Sequence, residues 1–221
     1  MFIHNMRASK IRTEIRREQI ARTALGIVER HGLRGLNVAR VARAVGVVPS
    51  GLYRHYPGKE AVLETVIDLI GARMEANVAE ASAADGNALE RLHGLLAGHV
   101  ELVERNSAIP RVVFSEELLH GRGAHRRRMY GIIRDYLRAV EQLIRDGQRE
   151  GCVRAGVDPE AASILFLGLI QPAVVLRAMS GGEFDVRAHA EAGWKLFVEA
   201  IGQTSTASRI ENEKQRQKHL K

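Results

Sequence analysis

The sequence predicts an all-α protein, and three observations support this prediction. The 221 residues are rich in Ala, Leu, Arg and Glu, which favour helices over strands. Apolar residues recur at helical spacing in one segment after another. These segments end at glycines such as Gly32 and Gly46, or begin at capping and proline residues such as Asp158 and Pro159. With 45% hydrophobic residues, the chain can form one large domain or two smaller ones, each with its own core.

Residues 37–59, NVARVARAVGVVPSGLYRHYPGK, predict two short helices joined by a tight turn. Asn37 can cap the first helix, Gly46 can end it in a left-handed conformation, and Pro49 suits the first turn of the second. Leu52 and Tyr56 give the second helix a buried side. The arrangement predicts a helix-turn-helix, which places its second helix in the major groove of DNA. The alternative is an αα-hairpin inside a helical core.

The charge distribution favours the DNA-binding interpretation. Residues 1–60 contain 12 Lys and Arg against 4 Asp and Glu, whereas residues 61–202 contain 16 against 20. The last 19 residues, 203–221, contain 5 against 2. Most of the net charge of +7 therefore belongs to the segment that contains the helix-turn-helix. A basic module on a slightly acidic body is typical of a nucleic-acid-binding protein whose remaining mass has another role.

The same patterns divide the chain into four parts. Residues 1–12 carry three cations without an apolar repeat and predict a flexible basic arm, which either reaches the minor groove or phosphates or is simply a disordered start. Residues 13–60 form the predicted helix-turn-helix domain, which begins with a helix over 15–31. Residues 61–202 form a helical domain, and 203–221 a disordered basic tail. The predicted core of the first domain is Ile20, Ala24, Ile27, Leu36, Val38, Val41, Leu52 and Tyr56.

The body contributes six of about nine predicted helices. They cover residues 59–84, 89–105, a segment that begins at Pro110, 129–150, 158–179 and 186–201. In the segment after Pro110, we expect Val113, Phe114 and Leu118 to point inward, with Glu117 as a further candidate for an inward position. Arg126, Arg127 and Arg128 predict a solvated helix start, with anion binding or a second DNA contact as the alternative.

The helix over 158–179 is apolar on almost every side, so one small domain would struggle to cover it. With the last helix, it forms the predicted dimer interface across a two-fold axis. The interface residues are Phe166, Leu169, Ala173, Leu176, Trp194, Phe197 and Ile201. The alternative is an ordinary monomer core, which is disfavoured because helix-turn-helix proteins read two half-sites about one helical turn apart.

The run HGLRGLNVARVARAVGVVPSGLYRHYPGKEAVL resembles the DNA-binding domain of the tetracycline-repressor (TetR) family of bacterial transcription regulators. The most specific part is GLYRHYPGKEAVL, and the match covers about residues 14–65. Two positions depart from the family pattern. Asn37 replaces the usual threonine and keeps a capping oxygen, whereas Val48 replaces a frequent serine or threonine and removes one.

The resemblance implies that Asn37 and Lys59 meet phosphates and that Tyr53 and His55 contact the DNA backbone or base edges. The alternative for His55 is a solvated surface histidine. The first turn of the second helix offers no long polar side chain, so direct readout falls on Ser50, Tyr53 and Arg54, with DNA shape contributing. The candidate DNA-binding residues are Asn37, Pro49, Ser50, Gly51, Tyr53, Arg54, His55 and Lys59.

The resemblance further implies a homodimeric repressor that binds a palindromic operator and is released by a small-molecule effector. The helix that begins at Lys59 would be the lever between the two functions. The candidate ligand-binding residues suit a hydrophobic or aromatic compound, although each could equally be plain core. They are Leu96, His99, Val100, Phe114, Leu118, Met129, Ile133, Tyr136, Leu137, Phe166 and Ile170. The alternative function is a DNA-binding protein controlled by a protein partner or by its own concentration.

Other classes of protein fit less well. The sequence has no nucleotide-binding glycine loop, nucleophile elbow or metal-ligand spacing, so we expect neither an enzyme nor a cofactor. Cys152 is the only cysteine, which excludes an intrachain disulfide; a passive thiol is favoured over a redox switch. The N-terminus lacks the apolar region of a signal peptide, and the apolar run 164–176 is too short to span a bilayer. We therefore expect a cytoplasmic protein without a membrane partner.

Overall fold

The computed structural model describes residues 2–120 and 123–203, with the side chains of residue 14 and of residues 16 onward in those ranges. These residues form a 3₁₀ helix at Leu33–Gly35 and eleven α-helices. The α-helices are α1 (Phe2–His31), α2 (Val38–Ala44), α3 (Pro49–Tyr53), α4 (Lys59–Ala83), α5 (Ala88–Arg105), α6 (Ala108–Val113), α7 (Glu116–Leu119), α8 (Gly123–Glu150), α9 (Pro159–Gly168), α10 (Gln171–Met179) and α11 (Val186–Ile201). An isolated bridge, Val153 to Gly202, is the β pairing within the described ranges. The all-α prediction is confirmed.

Helix boundaries follow the predicted capping signals. The Oδ1 atom of Asn37 accepts a hydrogen bond from the backbone N–H of Arg40 at 2.8 Å, which caps α2. Gly46 then adopts a φ of +74°, a conformation that costs glycine little. Pro49 lies in the first turn of α3, and the side chain of Asp158 caps α9. Local chemistry alone therefore determines these boundaries.

The first helix is longer than the sequence analysis predicted. It begins at Phe2, so the backbone of residues 2–12 is helical where a non-helical arm was expected. The physical reason is that no glycine or proline interrupts residues 2–25, and a helix without a breaker can extend past its apolar stripe. The predicted tail lies outside the described residues, apart from its first residue, Gln203.

Two predicted helices are each divided in two, which raises the count from about nine to eleven. The expected helix over 158–179 stops at Gly168 and resumes at Gln171, with Pro172 in the first turn of α10. The proline ring and its missing N–H explain why the helix cannot continue through this point. The segment after Pro110 breaks at Ser115, whose Oγ accepts a hydrogen bond from the N–H of Leu118 at 3.2 Å and starts α7.

The described residues fall into two compact units. The first lies within Met1–Asn77 and Glu101–Asp135, and the second within Val78–Val100 and Tyr136–Lys221. This division differs from the predicted boundary at residues 60 and 61, which stays a prediction. Helices α4, α5 and α8 each contribute residues to both units.

The core of the first unit joins the predicted helix-turn-helix core to residues of α4, α6, α7 and α8. All eight predicted core residues, from Ile20 to Tyr56, are at most 8% exposed. The C-terminal end of α1 is tied to α6 by two hydrogen bonds. Ser107 donates to the carboxylate of Glu29 at 2.6 Å, and Arg111 donates to the backbone carbonyl of Glu29 at 2.9 Å.

The second unit packs α9, α10 and α11 around aromatic side chains. Phe166 is fully buried and meets the rings of Trp194 and Phe197 edge-on, with centroid distances of 6.5 and 5.7 Å. His93 stacks on Trp194 at 5.1 Å and shares a hydrogen bond with Glu191 at 3.1 Å. Offset and edge-on aromatic pairs of this kind stabilise a core beyond the area that they bury.

One described stretch, Pro159–Met179, is long and apolar enough by length and composition to cross a membrane, with a mean hydropathy of 1.8. A third of its most apolar window (33%) is buried. The core or interface helix of a soluble protein passes the same test, so the signal is weak evidence. The stretch comprises α9, α10 and the break between them.

Candidate nucleic-acid interface

Helices α2 and α3 form the helix-turn-helix. The turn between them is held by two backbone hydrogen bonds of 2.9 Å, from the N–H of Val45 to the carbonyl of Val41 and from the N–H of Val47 to the carbonyl of Ala42. The buried side chains of Val41 and Leu52 anchor the two helices to the core of the first unit. The remaining side chains of α3 are consequently presented outward.

The outward surface of α3 contains the predicted DNA-reading residues. Pro49, Ser50 and Tyr53 are exposed, and so are Arg54 and His55, which follow the helix. Val48 supplies no capping hydrogen bond to α3, as its substitution for a hydroxyl residue predicts. The eight candidates are thus all exposed or half-buried, as DNA-binding residues need to be, while their contacts with DNA remain a prediction.

Asn37 and Lys59, the two predicted phosphate ligands, are already engaged within the chain. The carbonyl oxygen of the Asn37 side chain is occupied by the cap on Arg40, which leaves its amide Nδ2 as the donor for a phosphate. The Nζ atom of Lys59 lies 3.1 Å from Oε1 of Glu117. A hydrogen bond from its own backbone N–H, and then Lys59, lower the pKa of Glu117 against the opposing effect of burial. The pairing of residues 58 positions apart has no signal in the sequence.

An open cleft of about 710 Å³ lies in the first unit beside the recognition helix. It is lined by Arg16, Arg17, Ile20, Val47, Gly51, Leu52, His55, Tyr56, Ala61, Glu64 and Thr65. Gly51 and His55 are DNA-binding candidates, whereas the lining contains no candidate ligand-binding residue. Sequence analysis did not predict this cleft.

Four of the candidate ligand-binding residues belong to the first unit. Leu118 and Met129 are buried in its core, and Ile133 packs against it. The prediction that Phe114 points inward is wrong, because its side chain is 46% exposed. The residue closes α6 with φ −96° and ψ 14°, and the buried positions on that helix are Ala108, Ile109 and Val112. Val113, also expected inside, is half-buried.

The other seven candidates belong to the second unit, and two of them form a polar pair. Leu96, Val100, Tyr136, Phe166 and Ile170 are buried, while His99 and Leu137 are half-buried.

The polar pair consists of His99 and Tyr136. The Nδ1 atom of His99 lies 3.1 Å from the Tyr136 hydroxyl, and the two rings meet edge-on at 5.2 Å. Desolvation lowers the pKa of His99 to about 4 and raises the pKa of Tyr136. At neutral pH the pair is therefore uncharged, and it can offer a hydrogen bond to a ligand without importing a charge.

The predicted dimer residues divide into core and surface. Phe166, Ala173, Phe197 and Ile201 are buried within the second unit, so their side chains are not available to a partner in this structure. This correction arises because a helix that is apolar all round gives no sequence signal for its buried side. Leu176 is exposed and Leu169 and Trp194 are half-buried. Large apolar side chains that are exposed on α9, α10 and α11 but were not predicted are Ile164, Leu165, Val175, Met179 and Leu196.

The remaining candidate groups show ordinary structural roles. Arg128 forms an ion pair with Asp68, which also pairs with Arg17. The thiol of Cys152 is half-buried and lies 3.9 Å from a carboxylate oxygen of Glu150. Within the described residues, no group of three or more His, Cys, Asp or Glu side chains could hold a metal ion.

Taken together, a helix-turn-helix with an exposed recognition helix, in a structure whose described residues are mostly helical, is typical of a DNA-binding transcription regulator. A family model described as bacterial regulatory proteins of the tetR family matches residues 20–66. A second model, described as the YsiA-like protein C-terminal region, matches residues 68–200. The protein belongs to the TetR family of transcriptional regulators.

Three relatives illustrate the range of this similarity. The chain is 23% identical to the nucleoid occlusion factor SlmA of Idiomarina loihiensis, over 84% of this chain and 95% of that protein. It is 24% identical to the fatty acid metabolism regulator protein of Bacillus subtilis, over 83% and 94%. The structure of the regulator FadR from Bacillus subtilis in complex with stearoyl-CoA superimposes with a TM-score of 0.67 at 22% identity, over 82% and 97%. These levels of identity support the shared fold rather than a shared ligand.

Proposed function

We propose that this protein is a dimeric transcriptional repressor that leaves its operator when a hydrophobic small molecule binds to its helical body. The observation that carries the proposal is the exposed, polar recognition helix on a buried helix-turn-helix core. Binding to DNA requires a bacterial protein to work in the cytoplasm, which is where we place it. The DNA-binding residues are the eight candidates from Asn37 to Lys59.

Recognition of the operator is assigned to side chains that α3 presents outward. Tyr53, Arg54 and Ser50 carry hydrogen-bonding groups. The first turn of α3, residues 49–51, has only short side chains, which let the helix approach the base edges. Because these residues are few, a substantial part of specificity falls on sequence-dependent DNA shape.

Dimerisation is assigned to the apolar surface of α9, α10 and α11. Leu165 and Met179 are 62% and 80% exposed, which is unusual for large apolar residues unless a partner covers them. A two-fold related copy would bury this surface and place two helix-turn-helices on successive major grooves, about 34–36 Å apart.

The effector is assigned to the largely buried apolar residues around His99 and Tyr136. An uncharged polar pair among apolar side chains suits a ligand with a long hydrophobic part and one hydrogen-bonding group. A fatty acyl thioester is the first compound class to test, since a related regulator has been solved with stearoyl-CoA.

The test is operator binding measured by fluorescence anisotropy, with DNA from upstream of the protein's own gene. Tyr53→Ala should weaken binding about 10- to 100-fold, because it removes a contact to DNA. Tyr130→Ala is the matched control, since Tyr130 is an exposed tyrosine outside the reading surface. Equal binding by both variants and the wild type would refute the assignment of α3 as the reading helix.

The same assay tests the effector. Acyl thioesters of increasing chain length should release the wild-type protein from DNA. Tyr136→Phe should release at higher concentrations, because it removes the hydroxyl of the polar pair. If compounds of every chain length leave the complex intact, the effector proposal fails and the DNA proposal stands.

A second candidate function is supported by the relative named as a nucleoid occlusion factor, which aligns with 84% of this chain. In that case the protein would bind DNA and be controlled by a protein partner rather than by a small molecule. Operator binding without release by any acyl compound would favour this candidate.

A further inference from the structure

The ion pair between Lys59 and Glu117 bears directly on DNA binding. Lys59 begins α4 and is a proposed phosphate ligand, yet its Nζ atom already lies 3.1 Å from a carboxylate oxygen of Glu117. The ammonium group has three N–H donors but a single positive charge, so a carboxylate that neutralises it weakens its attraction for a phosphate, and the two anions repel each other. We propose that Glu117 is an internal counter-anion that competes with operator phosphate for Lys59 and thereby sets the operator affinity.

The carboxylate of Glu117 is held in place by its short helix. Ser115 caps α7 through the N–H of Leu118, and its hydroxyl also donates to the carbonyl of Val112 at 2.8 Å. Leu118 is 2% exposed and belongs to the core of the first unit. A carboxylate that is positioned by a cap and a buried neighbour loses less conformational entropy on pairing than one on a free loop.

The charges around Glu117 support competition. The backbone N–H of Glu117, then Lys59 and, least, Arg34 lower the pKa of its carboxyl group, which favours the charged form that pairs with Lys59 at 3.1 Å. The side chains of Lys59 and Glu117 are 27% and 39% exposed, so the pair is open to solvent and can be broken when DNA arrives. A phosphate that approaches Lys59 would displace Glu117 and would also be repelled by it.

A purely structural role makes a different prediction. If the pair only joins α4 to α7, removing the carboxylate would lower the stability of the protein and leave operator affinity unchanged. The proposal rests on the function proposed above, because it requires that Lys59 contact DNA.

The experiment compares Glu117→Gln with Glu116→Gln, which removes the same charge one residue away. Operator binding is measured in a salt series, and thermal unfolding of every variant is recorded as a check on folding. Glu117→Gln should bind about two- to fivefold more tightly than Glu116→Gln, the range that corresponds to one partly exposed ion pair. Its affinity should also fall more steeply with salt, because one more cation is free to release counterions.

The decisive comparison repeats both glutamate substitutions in a protein that also carries Lys59→Gln. In that background Glu117→Gln and Glu116→Gln should have equal effects, since the partner of Glu117 is absent. A gain that persists without Lys59, or no gain over Glu116→Gln in the wild-type background, would overturn the proposal. If Tyr53→Ala and Lys59→Gln both leave binding unchanged, the DNA-binding assignment itself has failed, and the proposal fails with it.

Discussion

Both units bury an apolar core, but their proposed functional surfaces differ: the surface beside α3 is polar, whereas the surface of α9, α10 and α11 is apolar. The first unit buries apolar residues and presents Ser50, Arg54 and His55 outward beside α3. The second unit holds a polar pair among buried apolar residues, while α9 and α10 leave Leu165 and Met179 exposed. Exposed polar groups suit a phosphate backbone and base edges, whereas exposed apolar groups suit another protein surface. The exposed apolar side chains of α9, α10 and α11 therefore support the proposal that this surface of the second unit meets another protein.

The largest effect should come from charging the apolar surface. The double variant Leu165→Glu/Met179→Glu would bury unpaired carboxylates in the proposed dimer interface, at a cost of about 3 kcal/mol or more. We expect a monomer by sedimentation velocity and a loss of operator affinity of more than about 100-fold, because two half-sites can no longer be bound together.

The control for this variant is Tyr130→Glu, which places one carboxylate on an exposed aromatic residue of the first unit, outside the proposed interface. It should remain a dimer and bind the operator. A double variant that stays dimeric would show that α9 and α10 do not form the interface.

The pair of His99 and Tyr136 should give an effect of intermediate size on stability. The pKa of His99 is lowered to about 4 in the folded protein, against an ordinary value near 6.5. As pH falls below 6.5 the unfolded chain takes up the proton first, so the folded state loses stability between pH 6.5 and 4. The loss amounts to about 3 kcal/mol.

Urea unfolding across this pH range would measure the effect. His99→Gln can still bond to the Tyr136 hydroxyl but does not titrate, so its stability should fall less than that of the wild type by about the stated amount. His55→Gln, at an exposed histidine, should behave like the wild type. If the free energy of unfolding of wild type and of His99→Gln depends on pH in the same way, the conclusion that His99 is desolvated in the folded protein is wrong.

The smallest effect is expected at the cap of α2. Asn37→Ala removes the oxygen that accepts the N–H of Arg40 and should cost about 1 kcal/mol of unfolding free energy. Thermal unfolding would measure this cost. Asn37→Asp keeps the capping oxygen and should retain stability, but it should bind DNA more weakly because it adds a negative charge near a proposed phosphate contact. Equal stability of Asn37→Ala and the wild type would contradict the role of the cap.

The sequence was sufficient for features that depend on neighbouring residues. The cap at Asn37, the left-handed Gly46 and the first-turn Pro49 each act within a few positions, so their chemistry predicts the helix-turn-helix directly. The helical spacing of apolar residues likewise predicted the core of that domain correctly.

Features that depend on distant residues could not be predicted in the same way. Phe114 lies at the end of a helix whose break at Ser115 redirects its side chain outward. The sequence could not distinguish the exposed side of α9 and α10 from their buried side, since both sides are apolar. The pairing of Lys59 with Glu117 depends on how α4 and α7 pack in the first unit, which no local pattern encodes.

Trp194 is the only tryptophan of the chain, and its ring lies between His93 and the aromatic side chains of Phe166 and Phe197. Excitation at the long-wavelength edge of protein absorption, where tyrosine absorbs little, therefore excites a single residue in the second unit. The fluorescence of Trp194 will change when its surroundings at α9 and α11 change, and it will not report on the recognition helix. Trp194 can therefore serve as an intrinsic fluorescent probe of the proposed subunit association, without an attached dye.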